Sequence, residues 1–424
     1  MKLALILFIL TYVFLFIFSN HKHIVSLISA LIFVILGILP VNKIFSSIDF
    51  NVLMMILGIM GIVNLFIDSK MPNKLSDMII DKSPNVKWMT VYLALFSAVV
   101  SAFVDNVATV LMIAPVALSV SKKLKISPVP ILISISIFSN LEGAATLVGD
   151  TTSILLAGHA NMNFLDFFIY NGKVGLFFII QLGTVLSLSV LFHKLRKEKK
   201  EIHKEGETKV DDLFPTYMLG LTLLTLIIIS FFPNKPALSN GIVCMVFYII
   251  GLIRDIIKDK NFTALKDQLM IIDYQTLLLL ASLFVIIGGI NEAGVINAIS
   301  KLFEGISTNT FVLYTCLVFF SVIISAFIDN IPYVATMLPV VSSLSVSLGI
   351  EPTVLFYGLI IGATLGGNLT PVGASANITS IGILNKNGYS ISLKEYLSYS
   401  VPITLIAVLT GYLLVLFEYL VWFY

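Results

Sequence analysis

A chain of 424 residues with 58% hydrophobic and only 12% charged residues is no soluble globular domain, since such domains carry about 25% charged residues. The formal net charge of +2 gives no basis for nucleic-acid binding, and the two cysteines, Cys244 and Cys316, form neither a disulfide framework nor a metal-ligand spacing. Phosphate-binding loops, HExxH and nucleophile-elbow patterns do not occur, so the sequence presents neither an ATP-driven pump domain nor an enzyme site.

Apolar runs of about 18 residues, enough to cross a bilayer as helices, recur along the chain. Leu3–Phe18 has only Lys2 before it and no small-residue cleavage site after it, so it is expected to persist as a helix rather than act as a signal peptide. Ile24–Leu39 and Val52–Ile67 follow as spans. Met89–Val120 is too long for one span and holds Asp105 and Asn106 near its middle, which predicts a re-entrant hairpin over 89–120. Pro128–Gly158 is a span with a polar middle, and Gly175–Phe192 ends this half. His193–Leu213, with its run from Lys194 to Lys200, reads as a charged linker. The second half repeats the series with spans at Pro215–Phe232, Ala237–Ile253, Tyr274–Ile290, Pro352–Leu384 and Ser398–Leu420, and a second hairpin over 310–348 around Asp329 and Asn330.

The recurrence extends to individual residues. Ser101-Ala-Phe-Val-Asp-Asn106 returns as Ser325-Ala-Phe-Ile-Asp-Asn330, 224 residues later. The same spacing relates Asp49 to Asp273, Pro115 to Pro339, Pro128 to Pro352, and Gly143, Thr146 and Gly149 to Gly367, Thr370 and Gly373. Such self-similarity implies a duplication, with repeats at 1–192 and 214–424 and a cytoplasmic linker at 193–213. Five crossings per repeat make the two inverted. The expected fold is therefore an all-α polytopic membrane protein of two inverted repeats, each with five transmembrane helices, one of them discontinuous, plus one re-entrant hairpin. In this arrangement Lys2, Lys43, Lys173, Lys235 and Lys301 fall outside and the remaining 21 of the 26 basic residues inside. That bias places the linker and the first hairpin on the cytoplasmic side, and the second hairpin and both termini on the external side, of a cell inner (plasma) membrane.

Two pairs of motifs carry the chemistry. Asp105 and Asp329 each interrupt an apolar segment, where a carboxylate costs about 2.5 kcal/mol or more. Each can cap a returning half-helix or bind a proton or cation, and the two roles are compatible. The interrupted spans, Ser139–Ser153 and Gly362–Asn377, gather Gly, Pro, Thr and Asn where Leu and Ile would be expected. Paired interruptions of this kind point to a transporter binding site, with unwound carbonyls for a cation and half-helix ends for a polar solute. The first half adds Glu142 and Asp150 where the second has Gly366 and Ala374. If both face one cavity with Asp105, three carboxylates share protons there. Asp49 and Asp273 stand at span starts and read as helix caps.

The Ser-Ala-Phe-Xaa-Asp-Asn tips, each followed nine residues later by Pro115 or Pro339, resemble those of the ion transporter superfamily. The Ala145–Asp150 and Gly367–Asn377 segments resemble its arsenite permease, sodium/proton antiporter (NhaD type) and melanosomal P-protein branch. The resemblance implies a scaffold and a transport domain, hairpin tips near the midplane, and a homodimer; a soluble ATPase partner stays open. By the family's pattern Asn106, Asn330, Thr146, Thr370, Ser375 and Asn377 would line the site; with the residues read from the motifs themselves, the expected ion- or substrate-binding set is Asp105, Asn106, Thr109, Asn140, Glu142, Thr146, Asp150, Thr151, Asp329, Asn330, Asn368, Thr370, Ser375 and Asn377. Gly143, Gly149, Gly367, Gly373 and Pro371 would supply unwound backbone. No metal and no cofactor is expected beyond a coupling proton or sodium ion. The leading functional expectation is proton-coupled efflux of arsenite or antimonite, a small inorganic metalloid. The alternative is sodium(lithium)/proton antiport, and sodium-coupled symport of a dicarboxylate comes third because carboxylates at both tips repel a dianion. A passive channel or an intramembrane enzyme finds no filter ring and no converging catalytic set.

Overall fold

The computed structural model describes residues 1–18, 21–202, 208–210, 212–232, 235–259 and 268–418. Within these the chain is helical but for one two-stranded ribbon, Ile169–Tyr170 with Lys173–Val174. Seven of the described helices are long and apolar enough to cross a membrane, and large apolar side chains such as Leu3, Ile6, Ile28 and Leu31 lie exposed on helix surfaces, as lipid contact requires. Lys204, Lys260 and Lys266, counted above on the cytoplasmic side, and the end of the last predicted span lie outside the described residues.

Helix ends recur at the spacing of the sequence motifs. Phe50–Asp68 corresponds to Tyr274–Glu292, Val86–Ser101 to Thr310–Ser325, and Asn106–Leu124 to Asn330–Leu348. The packing partners recur too. Phe50–Asp68 lies against Ser239–Asp259, and Tyr274–Glu292 against Lys22–Ile35. These four helices, with Lys2–Ile17 and Phe214–Ser230, form one bundle. The other contains Val86–Ser101 on Val129–Gly143, Leu176–Lys194 on Leu393–Leu416, and Thr310–Ser325 on the segment Thr353–Leu365. Glycines allow the closest approaches. A Cβ at Gly58 would lie 2.5 Å from the Cys244 carbonyl carbon, and one at Gly61 would strike the Tyr248 ring.

Two helices were not expected from the sequence. Met71–Asp81 and Val295–Ile306 are too short and too polar on one side to read as spans. Each follows a residue in the left-handed region, Lys70 and Gly294, and buries one stripe, Pro72, Ser76 and Ile80 in the first and Val295, Ile296 and Ser300 in the second. They lead into the hairpins, and Val295–Ile306 meets Thr310–Ser325 at 116°.

The start of the linker packs on the first hairpin's base, where Val86 N–H donates to the Lys200 carbonyl at 2.9 Å and Lys87 N–H to that of Glu198 at 3.0 Å. Beyond it, Asp212 accepts from Arg254 Nη2 and from Lys258 Nζ, both at 3.0 Å. Burial raises this carboxyl, but the Arg254, Phe214 and Lys258 hydrogen bonds outweigh it and hold it well below the usual carboxylate range. A depressed carboxyl adds stability that is complete above the unfolded-state value, about 4, and is lost as the pH falls below it. Asp212→Asn should therefore cost about 1 kcal/mol at pH 7, allowing for solvent screening at the exposed lysine. The gap in thermal unfolding between variant and wild type should stay constant from pH 7 to about 4 and narrow only below that.

Candidate functional site

Each hairpin turns through four residues, Ala102–Asp105 and Ala326–Asp329, and the aspartate starts the returning helix. Asp105 Oδ1 accepts the N–H of Val107 at 2.9 Å and of Ala108 at 3.2 Å. Asp329 Oδ1 accepts the N–H of Ile331 at 3.1 Å. Both are helix caps, and capping engages one oxygen of each, leaving the other for a further partner.

The interrupted spans break where Gly and Thr gather. Seven residues separate Val129–Gly143 from Thr151–Ala160, and Asp150 Oδ1 caps the new helix by accepting Thr151 N–H at 2.8 Å. In the second half, Thr353–Ile360 widens into a π turn at Ile361–Leu365 before it breaks and restarts at Ser375. Widened turns of this kind inside helices occur frequently at functional sites. The breaks lock onto the tips in the same way in both halves. Thr146 Oγ1 donates to the Ala102 carbonyl, and Thr370 Oγ1 to that of Ala326. Gly149 and Gly373 lie directly on these turns, where a Cβ would come within 2.7 Å of Gly143 O and 2.5 Å of Gly367 O respectively.

Between the two bundles this assembly leaves a cavity of about 170 Å³. Asp105, Asn106, Asp150, Thr151, Asn330 and Ser375, all from the predicted set, line it, opposite Ile59, Met60, Val63 and Asn64 of the first bundle. Asp150 is central. Its Oδ2 accepts Thr152 Oγ1 at 2.9 Å and Asn330 Nδ2 at 3.4 Å, so the second tip reaches the first half's carboxylate. The lining includes three carboxylates, Asp105, Asp150 and Asp273, and among the described residues neither lysine nor arginine.

The other predicted residues lie behind or beside the cavity. Asn140 accepts from Asn106 at 2.9 Å and donates to the Thr364 carbonyl at 2.8 Å, which ties the first tip to the second break. Asn368 donates to the Ile137 carbonyl at 3.0 Å. Asn377 Nδ2 faces Asn368 Oδ1 at 3.3 Å and the carbonyls of Gly367 and Thr370, each at 3.4 Å. Thr109 is fully buried on the first returning helix. Gly143 packs on Asp150, since a Cβ there would meet the Asp150 Cβ at 2.9 Å, and Pro371 falls in the second break. Glu142 does not join Asp105 and Asp150. It points away, 1% exposed, and accepts Gln181 Nε2 at 2.6 Å from Leu176–Lys194. Asp329 also lies outside the main cavity and meets Lys22 Nζ at 2.6 Å.

Three participants were not anticipated. Asp273 caps its helix by accepting Thr276 N–H at 3.0 Å, as expected of a span start, but it and Thr276 also line the cavity. Lys22 was counted only as a loop charge. The polar pair Gln181 and Glu142 joins two helices that nothing in the sequence places together.

Comparisons with known proteins agree with this architecture. A "46 kDa membrane protein" of Mycobacterium leprae is 31% identical over 99% of both chains. The P protein of Homo sapiens is 27% identical over 87% of this chain and 54% of its own length. Among solved structures, the YdaH transporter of Alcanivorax borkumensis superposes with a TM-score of 0.55 at 15% identity, covering 88% of this chain and 86% of that one, which concerns the fold alone. The profile described as "citrate transporter" matches residues 6–362. The chain is a multi-pass membrane transporter and belongs to the citrate transporter (CitMHS) family of the ion transporter superfamily.

Proposed function

We propose that the chain exchanges sodium or lithium ions for protons, with Asp105 and Asp150 as the shared binding groups. The observation that carries this reading is the set of carboxylates around one small cavity without a described basic residue. Neighbouring carboxylates in such a space repel one another when both are ionised. Protons relieve the repulsion and so does a cation, and each occupant displaces the other, which is the logic of an exchanger. Citrate, named in the family's description, is a poor fit in this reading, because an anion would face these aspartates with no partner of opposite charge.

Proton-coupled efflux of arsenite or antimonite is the second reading. It is supported by Asn106, Thr151, Asn330 and Ser375 at the same cavity, whose amides and hydroxyls suit a neutral trihydroxide. Neither cysteine is among the cavity's lining residues. The two readings separate in inverted vesicles acidified inside. Sodium or lithium should dissipate the pH gradient, arsenite, antimonite and citrate should not, and Asp105→Asn should strongly slow the effect. No response to either cation, with labelled arsenite accumulating only while the gradient lasts, would establish the metalloid reading instead.

A further inference from the structure

The two hairpin tips are built alike but differ in charge. At the first, Asp105 uses Oδ1 as a cap and faces the cavity beside a second carboxylate, Asp150. At the second, the residue matching Asp150 is Ala374, and Asp329 already holds a cation. Lys22 Nζ lies 2.6 Å from Asp329 Oδ2, which also accepts Ser375 Oγ at 3.3 Å. The lysine is 19% exposed and the aspartate 8%, so water screens this pair only weakly and the ammonium largely compensates the carboxylate. Lys22 begins the helix Lys22–Ile35 of the first bundle, whereas Asp329 belongs to the hairpin of the second. Around them lies a separate cavity of about 210 Å³, otherwise lined by apolar residues such as Leu15, Phe327, Ile328 and Pro332. Among the described residues, Lys22 and Asp329 are the only titratable groups in that lining. Tyr12 steadies the tip from the same side, donating to the Pro332 carbonyl at 2.7 Å.

We propose that Lys22 is a tethered cation that occupies the second tip in place of a mobile one, so that of two matched sites only the first, at Asp105 and Asp150, binds a cation from solution. The proposal rests on the cation-exchange reading and adds the number of ions bound and the residue that sets it. An ammonium can stand where a monovalent metal ion would, because either neutralises the Asp329 oxygen it touches. A mobile ion would have to displace a charge that cannot diffuse away, and the effective concentration of a tethered group favours the lysine.

Equilibrium binding of radiolabelled sodium to the purified full-length chain tests this. Wild type should bind one ion per chain, Lys22→Gln two, and Lys22→Gln with Asp329→Asn one again. Lys22→Arg should bind one, because the charge is kept. Lys22→Met, which suits the apolar surroundings, accompanies Lys22→Gln with the same expectation. Thermal unfolding in solubilised membranes, which needs no purification, gives a second readout. The neutral variants should be stabilised by sodium more steeply than wild type, as a second bound ion requires. Equal counts in wild type and both neutral variants, or equal sodium dependence of unfolding, would overturn the proposal and leave Lys22 as a strut between bundles. Two ions in wild type would overturn it as well. A wild type that binds none, with a neutral variant that binds one, would uphold the lysine's role while refuting the exchange reading, so the two failures are distinct.

Discussion

Asp105→Asn and Asp150→Asn should each slow sodium-dependent dissipation of a pH gradient about 100-fold while the protein still inserts and folds. The factor corresponds to roughly 3 kcal/mol, the upper range for a lost charge-assisted interaction. Asparagine is chosen because it is as good a helix cap as aspartate. The bonds from Val107 and Ala108 to residue 105, and from Thr151 to residue 150, can persist in the variants. What disappears is the charge presented to the cavity and the ability to carry a proton. Glu142→Gln is the informative contrast. Glu142 is a buried carboxylate in the same half but faces Gln181 rather than Asp105, so its loss should weaken the hold between two helices and leave the cation response in place. A response abolished by Glu142→Gln and spared by Asp105→Asn would move the site to the other face of Val129–Gly143.

The second large effect concerns backbone packing. Gly149→Ala and Gly373→Ala should each destabilise the chain by about 1–3 kcal/mol, in the range of overpacked cores, and should impair transport even where protein accumulates. At Gly149 the new carbon would sit 2.7 Å from Gly143 O, 2.9 Å from Ser101 O and 3.0 Å from Ala102 O. At Gly373 the matching distances are 2.5 Å to Gly367 O, 2.6 Å to Ser325 O and 2.9 Å to Ala326 O. All six neighbours are carbonyl oxygens of the main chain, so no side chain can rotate aside. The hairpin tip would have to separate from the break, and the Thr146 and Thr370 bonds to the tips would go with it. Gly382→Ala provides the control. It stands in the helix Ser375–Lys386 with open space where its Cβ would fall, and alanine there should be neutral or stabilise by about 0.5–1 kcal/mol. Melting curves on solubilised protein, read beside transport rates in vesicles, separate the three variants.

Much of this architecture is legible in the sequence because the signals are local or repeated. The capping aspartates announce the tips, the Gly and Thr clusters announce the breaks, and the spacing of 224 residues aligns one half with the other. The parts that escape the sequence depend on which face of a buried helix looks where. In Val129–Gly143 every residue but Pro130 is buried, so no alternation of polar and apolar residues shows that Glu142 and Asn140 look in different directions. The contact of Lys22 with Asp329 joins positions 307 apart in the chain, and a lysine between two apolar runs reads as a loop charge until the bundles are assembled. Asp273 reads as a cap from the sequence and is one, but its place at the cavity follows from the packing of its helix against Phe50–Asp68 and the second hairpin's returning helix, Asn330–Leu348. The helices Met71–Asp81 and Val295–Ile306 are short and amphipathic, and a search for spans passes over them.

The central claim is that one cavity holds either a proton or a cation at Asp105 and Asp150, and proton release on cation binding tests it most directly. Sodium or lithium chloride is added to the purified chain in weakly buffered detergent solution, with choline chloride as control, and the pH is followed. Protons should be released on adding sodium or lithium, not choline, and the release should vanish in the Asp105→Asn, Asp150→Asn double variant. Equal traces for sodium, lithium and choline in the wild type, from protein that is folded and monodisperse, would contradict the account.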